Sequence, residues 1–294
     1  MDALAAVSTP ATGGVQAAVT VAVLASALAH ATWNAIAAAI KDKLVAFTVL
    51  GMGSLALALP MLAWVPVPVA ASWPFLVASA AVHVAYNVLL MQSYRVGDFS
   101  QVYPLARGTS PLVVTVIAAL FVGERLTVPQ LAGVVVVSAG LASLALVGRR
   151  PGREDWPAVT AALGTGLAIA TYTVVDGVGV RLSGDALGYI VWLSVLHAAA
   201  IPVGALCTRG RALVAQVRPY WVHGLLGGAL SLLAYGLVLW AQTRGALAPI
   251  AALRESSIIF GAVIGAVWFH ERFGPPRVVA AVLVSAGIVL LNVP

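Results

Sequence analysis

The sequence predicts an all-α membrane protein of about ten transmembrane helices, arranged as two inverted five-helix repeats. Three observations carry that expectation: a composition that only a bilayer can solvate, a set of motifs that occurs twice, and an odd number of apolar spans per half. Hydrophobic residues make up 61% of the 294 residues and charged residues 9%, with a mean hydropathy of +1.01. A soluble domain carries about a quarter charged residues, so this chain cannot cover a water-facing surface. Arg107-Gly-Thr-Ser is matched by Arg254-Glu-Ser-Ser, and Gly123-Glu124-Arg125-Leu126 by His270-Glu271-Arg272-Phe273. Ser138-Ala139-Gly140 is matched by Ser285-Ala286-Gly287, and all three pairs share an offset of 147 residues. An internal repeat in a hydrophobic chain points to one unit copied.

A hydrocarbon core roughly 30 Å thick needs about 20 apolar residues per helix. That ruler marks spans at 17–40, 44–66, 73–94, 100–123, 127–148, 156–180, 186–208, 219–243, 246–270 and 274–293. Turn residues fill the links, as in Val-Pro-Val-Pro at 65–68 and Pro-Pro at 275–276. The chain divides into a short tail (1–17), a first repeat (18–147), a basic link (148–155) and a second repeat (156–293). Five spans per half is odd, so the second half enters the membrane from the opposite face. Ala31-Thr32-Trp33 and Ala170-Thr171-Tyr172 extend the match to the first helix of each half. Ala85-Tyr86 and Ala234-Tyr235 do the same for the third. The N-terminus has no basic segment before its apolar run, so no cleaved signal peptide is expected.

The net charge of +6 sits mostly in the links. There it reads as topology signal and lipid-headgroup contact, not as nucleic-acid binding. We call the face holding both termini face A and the other face B. Face B collects eleven Lys and Arg residues, face A collects Arg125, Arg181 and Arg244, and Arg107 and Arg254 lie within spans. The positive-inside rule then places face B in the cytoplasm. The single cysteine, Cys207, forms no internal disulfide, and no metal-ligand spacing surrounds it, so neither metal nor cofactor is expected.

Polar residues within the spans mark the candidate site, because an unsatisfied polar group in hydrocarbon costs several kcal/mol. His30, Trp33 and Asn34 share one helical face, as do His83, Tyr86 and Asn87. Tyr172, His197, Ser231, Tyr235 and Tyr103 add aromatic and hydrogen-bonding groups. Together they suit a cavity for a small solute, while interhelical hydrogen bonding alone is the blander reading of any one of them. Arg107 and Arg254 are the costliest residues, at about 2.5–3.5 kcal/mol each near mid-bilayer. Each precedes an end-of-helix glutamate by 17 residues, roughly 25 Å of helix. Inverted repeats then place Arg107 near face B and Arg254 near face A, very roughly 20 Å apart along the normal. That depth favours two vestibules, or gates closed by a carboxylate of the other repeat, over one shared arginine clamp. Glu271 ends near Arg107's face and Glu124 near Arg254's, so both are gating candidates, with ending helices and ordering the following turns as the blander role. Asp176, Glu255 and His30 are the candidates for proton coupling, and spans four and nine, polar in their first halves, are the elements expected to bend or rock.

With these motifs the chain resembles the EamA type of the drug/metabolite transporter superfamily, from about residue 18 to 293. The features that carry the likeness are Pro111 followed by an apolar run to Gly123-Glu124-Arg125-Leu126, the second Glu271-Arg272-Phe273, and the Gly-containing last span of each half. Ile258 stands where a second proline would repeat Pro111. His30-Ala-Thr-Trp33-Asn34 and Tyr103-Pro-Leu-Ala-Arg107-Gly resemble a branch whose members include some named for phosphonate use. The resemblance implies secondary transport, often export of metabolites or drugs, through a cavity between the repeats, in the plasma (inner) membrane. It allows a homodimer and implies cytoplasmic termini, opposite to the Lys and Arg balance. A non-transporting scaffold or partner subunit is the alternative, and an intramembrane enzyme a more distant one, since no His-Glu-x-x-His or paired-aspartate motif is present.

Overall fold

The computed structural model describes residues 13–96, 99–146, 156–268 and 274–293; some side chains inside these stretches, 90–104 above all, lie outside the description. Among these residues every regular element is helical. Lipid offers the backbone no partners, so each span must satisfy its own N–H and C=O groups. The helices are α1 (Gly13–Ala39), α2 (Lys43–Met61), α3 (Trp73–Val96), α4 (Phe99–Ile117, closed by a π-helical turn at Ala118–Val122) and α5 (Val128–Leu146). They continue as α6 (Trp156–Leu182), α7 in two pieces (Ala186–Ala198 and Ala200–Arg209), α8 (Trp221–Gln242), α9 in two pieces (Leu247–Arg254 and Ser257–Trp268) and α10 (Pro275–Leu291). Eight candidate spans are long and apolar enough to cross a membrane, and the shorter apolar runs Val128–Ser143 and Val278–Leu291 supply α5 and α10.

Most boundaries fall within a few residues of the expected ones, and the departures have local causes. α2 stops at Met61 rather than 66, because Pro66 and Pro68 have no N–H to extend the ladder. α7 breaks at Ala199 because Pro202 cannot donate to the Ala198 carbonyl four residues earlier. Gly123 ends α4 in the left-handed region, with φ of 77°, which a residue with a Cβ adopts at a cost. At the other face, Asp42 caps α2: its Oδ1 accepts from the Leu44 and Val45 amides at 3.0 and 3.2 Å. Lys43 Nζ donates to the Ala38 and Ile40 carbonyls at 3.0 Å, satisfying the C-terminus of α1.

Contacts between links confirm which ends share a face. At face A the Val69 amide donates to the Ser183 carbonyl at 3.3 Å, and Thr20 Oγ1 to Asn292 Oδ1 at 2.9 Å. At face B, Arg209 Nη1 donates to Asp42 Oδ2 at 2.6 Å. The first helix of each repeat packs on the third and fourth helices of the other, α1 on α8 and α9, α6 on α3 and α4. α5 and α10 meet at the pseudo-twofold axis. A Cβ on Gly133 would lie 2.9 Å from the Gly287 carbonyl oxygen, and one on Gly287 would lie 2.9 Å from that of Gly133. The repeat offset converts this pair into Ala280 and Gly140, where a Cβ on Gly140 would lie 3.4 Å from the Ala280 carbonyl oxygen. One contact thus occurs twice, which is what inverted copies require.

The Asp42 cap gives a pH-dependent prediction. The Arg209 hydrogen bond holds the Asp42 carboxyl below its ordinary value of 3.8, with the α2 amides adding to it. A depressed carboxyl contributes its full stability above the unfolded value and loses it as pH falls through the folded one. Asp42→Ala should therefore cost about 1 kcal/mol at neutral pH. Thermal unfolding in detergent should show the variant and wild type converging below roughly pH 4.

Candidate functional site

A cavity of about 110 Å³ lies between the repeats, about halfway along the helices that enclose it. Seven residues anticipated from the sequence line it: His30 and Trp33 from α1, Tyr86 and Asn87 from α3, Tyr172 from α6, Tyr235 from α8 and Arg254 from α9. His83, His197 and Ser231, noted in the sequence as polar residues within spans, line it as well. Ser26, Ser54 and Ser194 were not singled out. Helical spacing offered a signal for two of them, since Ser26 is one turn before His30 and Ser194 one turn before His197.

Aromatic packing fixes the cavity walls. His83 stacks on Tyr172 at 4.1 Å between ring centres and on His197 at 4.8 Å, and Tyr235 meets His83 edge-on at 5.2 Å. His30 and Trp33 form an edge contact at 5.0 Å. Two expected lining residues point elsewhere. Asn34 donates to the His30 carbonyl at 2.8 Å, within its own helix. Arg107 is only 1% exposed and lies outside the lining. Tyr103 belongs to α4, but its side chain lies outside the description.

Arg107 is the centre of a buried cross-repeat cluster. Its Nη1 donates to Glu255 Oε1 at 3.0 Å, and its Nη2 bonds His30 Nε2. The guanidinium can only donate, so His30 accepts there as a neutral imidazole. Glu255 follows Arg254 in sequence, which places both arginines in one central layer. The separation of roughly 20 Å and the two vestibules inferred from the helix ruler are therefore wrong. The error lies in measuring from the end-of-helix glutamates, which extend past the hydrocarbon. Measured from the helix starts, Arg107 is the ninth residue of α4 and Arg254 the eighth of α9. Both are then roughly 10–12 Å deep, entering from opposite faces of a core about 30 Å thick. Their long side chains cover the remaining gap. Glu255 turns to the other repeat rather than to its chain neighbour Arg254.

The remaining acidic residues divide between two places. Asp176 is fully buried, accepting from Tyr189 Oη at 2.9 Å and from Tyr235 Oη. Glu124 does more than end a helix, and it pairs with Arg181 rather than with Arg254. It reaches from the first repeat to the second, where its two oxygens accept from the Leu247 amide at 2.9 Å and cap α9. Arg181 joins it at 3.4 Å and also donates to the Gln242 and Gly245 carbonyls, both at 2.8 Å. This clasp ties α4, α6, α8 and α9 together at face A. Glu271 lies outside the described residues. No group of three or more potential metal ligands occurs among the described residues.

Helices related by an in-plane pseudo-twofold, closed around a polar chamber, define a class of inverted-repeat membrane transporters. The family comparison agrees: the model of the EamA-like transporter family matches residues 17–146 and again 156–293. The chain belongs to this family, within the drug/metabolite transporter superfamily, and is a multi-pass membrane transporter. Among solved structures 29 chains match. One, a crystal structure of a protein with 16% identity, covers 96% of this chain and 97% of its own with a TM-score of 0.68. At that identity the likeness shows the fold alone. No curated protein matches.

The Arg107–Glu255 pair should act on folding more than its exposure suggests. Glu255→Ala leaves a buried guanidinium uncompensated and should cost about 3–5 kcal/mol, read as a lower unfolding temperature in detergent. Replacing both members with leucine should recover most of that loss. Equal losses in the single and double variants would contradict the assignment.

Proposed function

We propose that this transporter is a secondary carrier that moves a small polar or amphipathic metabolite out across the plasma (inner) membrane by alternating access. The observation that carries the reading is a polar cavity whose walls come from both repeats, about halfway along the helices that enclose it. Rocking of one repeat against the other changes the ends of such a chamber and leaves its middle in place. Both spans expected to bend or rock depart from regular α-helix: α4 ends in a π-helical turn followed by Gly123, and α9 breaks between Arg254 and Ser257. Such interruptions are common where helices flex or carry function.

The Glu124 clasp acts as the face A gate in this scheme, so the described state is closed at face A. With the termini cytoplasmic, the clasp is the inner gate. One copy supplies both halves of the chamber, so a homodimer would add contact area and no site residue. A scaffold role accounts poorly for two buried arginines, since each costs about 2.5–3.5 kcal/mol to place in the membrane and a scaffold needs neither.

Two measurements test this reading. In proteoliposomes loaded with candidate amino acids and organic acids, the protein should exchange at least one solute, and Arg254→Ala should cut that flux at least tenfold. Solute flux equal to that of empty liposomes would refute the carrier reading. The native thiol reports orientation: Cys207 is exposed at the face B end of α7. A membrane-impermeant maleimide should label it in intact cells. Labelling only in inverted vesicles would put face B in the cytoplasm, as the Lys and Arg balance has it.

A further inference from the structure

The two repeats duplicate the arginine but not its carboxylate. The pseudo-twofold maps Arg107 onto Arg254 and Glu255 onto residue 108, which is glycine. Arg107 therefore has an ion-pair partner from the other repeat, whereas the place where Arg254 would find one is empty of any side chain. Among the described residues no carboxylate lies within ion-pair distance of Arg254. It donates instead to Tyr172 Oη at 3.1 Å and lines the cavity. Glu255, its chain neighbour, is taken by Arg107, and the other buried acid is Asp176, whose counterpart in the first repeat is Ala37. Asp176 stands behind Tyr235, and the Tyr235 and Tyr172 ring centres are 6.1 Å apart. Among the described residues, the fully buried charges are then two arginines against Glu255 and Asp176. They sum to zero only while Asp176 is ionised.

From this arrangement we infer that the cavity takes a small monoanion, a carboxylate or its like, on the Arg254 guanidinium, and that Asp176 takes up one proton as the anion binds. Charge balance governs here, because Asp176 is fully buried behind the cavity wall. A guanidinium facing an aromatic chamber suits a planar oxyanion. Adding an anion to a site that is already neutral leaves one uncompensated negative charge, which a low-dielectric interior penalises heavily. Protonating Asp176 removes it. The proton goes from water to a carboxylate oxygen, and a tyrosine hydroxyl that donated to that oxygen turns to accept or is released. Tyr235 both lines the cavity and holds Asp176, so the two events share one side chain.

Other titratable or charged groups surround this site and must be separated from Asp176. His83 on α3, Tyr189 and His197 on α7, Tyr235 on α8 and Arg254 on α9 face it, with Tyr172 on its own helix. His30, Arg107 and Glu255 form the next layer. The histidines are the rival proton acceptors, and the test distinguishes them.

This inference rests on the carrier reading, so its test is a binding experiment in detergent, independent of flux. Three probes of similar size differ in charge: propionate, zwitterionic alanine and isopropylammonium. Trp33 lines the cavity, and its fluorescence, identified by subtracting a Trp33→Phe variant, reports occupancy. Propionate should bind best, its affinity should rise roughly tenfold per unit fall in pH between about 8 and 6, and about one proton should leave weakly buffered solution per propionate bound. Asp176→Asn should abolish both the pH dependence and the proton uptake. Should that variant fail to fold, Tyr235→Phe, which takes a hydrogen bond from the ionised form, should lower the proton count below one. Failure of propionate to bind, binding without proton uptake, uptake that survives in Asp176→Asn, or tighter binding of alanine or isopropylammonium would each overturn the inference. A protein that exchanges solute in liposomes yet gives one of these results remains a carrier of another solute class. One with no solute flux loses the carrier reading itself.

Discussion

The ion pair between Arg107 and Glu255 is the constraint on which the rest of the structure depends. It joins α4 of one repeat to α9 of the other with both side chains almost fully buried. A guanidinium cannot shed its charge, so the fold must deliver an acceptor to it or not form. That requirement fixes the register of the two crossing helices. It also brings His30 from α1 into the same cluster and leaves Arg254, the next residue back along α9, turned toward the open chamber.

Around this centre the scaffold follows the pseudo-twofold closely while the site departs from it. α5 and α10 meet through the same small-residue contact read in both directions, with Gly133 against Gly287 and Ala280 against Gly140. Such packing concerns backbone shape alone and is satisfied equally by either copy. The charged residues break the equivalence: Glu255 faces Gly108 across the symmetry and Asp176 faces Ala37. In the proposed carrier, a symmetric frame rocks between two states related by the pseudo-twofold, whereas a solute needs a definite arrangement of charge. The chain meets both needs by keeping the copies alike at the axis and different at the chamber.

Much of this was legible in the sequence because bilayer physics leaves few choices. Apolar run length located the helices, parity made the repeats antiparallel, and polar residues too costly to face lipid lined the cavity. His30, Tyr86, Tyr172, Tyr235 and Arg254 were all found that way. What could not be read was partnership. The repeat marks Arg107 and Arg254 as equivalent, yet a 17-residue ruler laid from the wrong end placed them at opposite faces. Glu124 looked like a helix terminator because its partner, the Leu247 amide, is a backbone group 123 residues away. Tyr189 carried no signal at all: it is one aromatic among apolar neighbours until Asp176 is seen beside it.

Above all, the two modules must enclose a polar interior that water can reach and lipid cannot. Ser231 and Leu233 lie two residues apart on α8, the first lining the chamber and the second 52% exposed on the outer surface. In a background with Cys207 replaced by alanine, a single cysteine at each position can be challenged in liposomes with a small charged methanethiosulfonate. The account predicts rapid modification at 231 and almost none at 233. Reaction at 233 with protection at 231 would mean that the helix faces the other way, and that the chamber is no chamber.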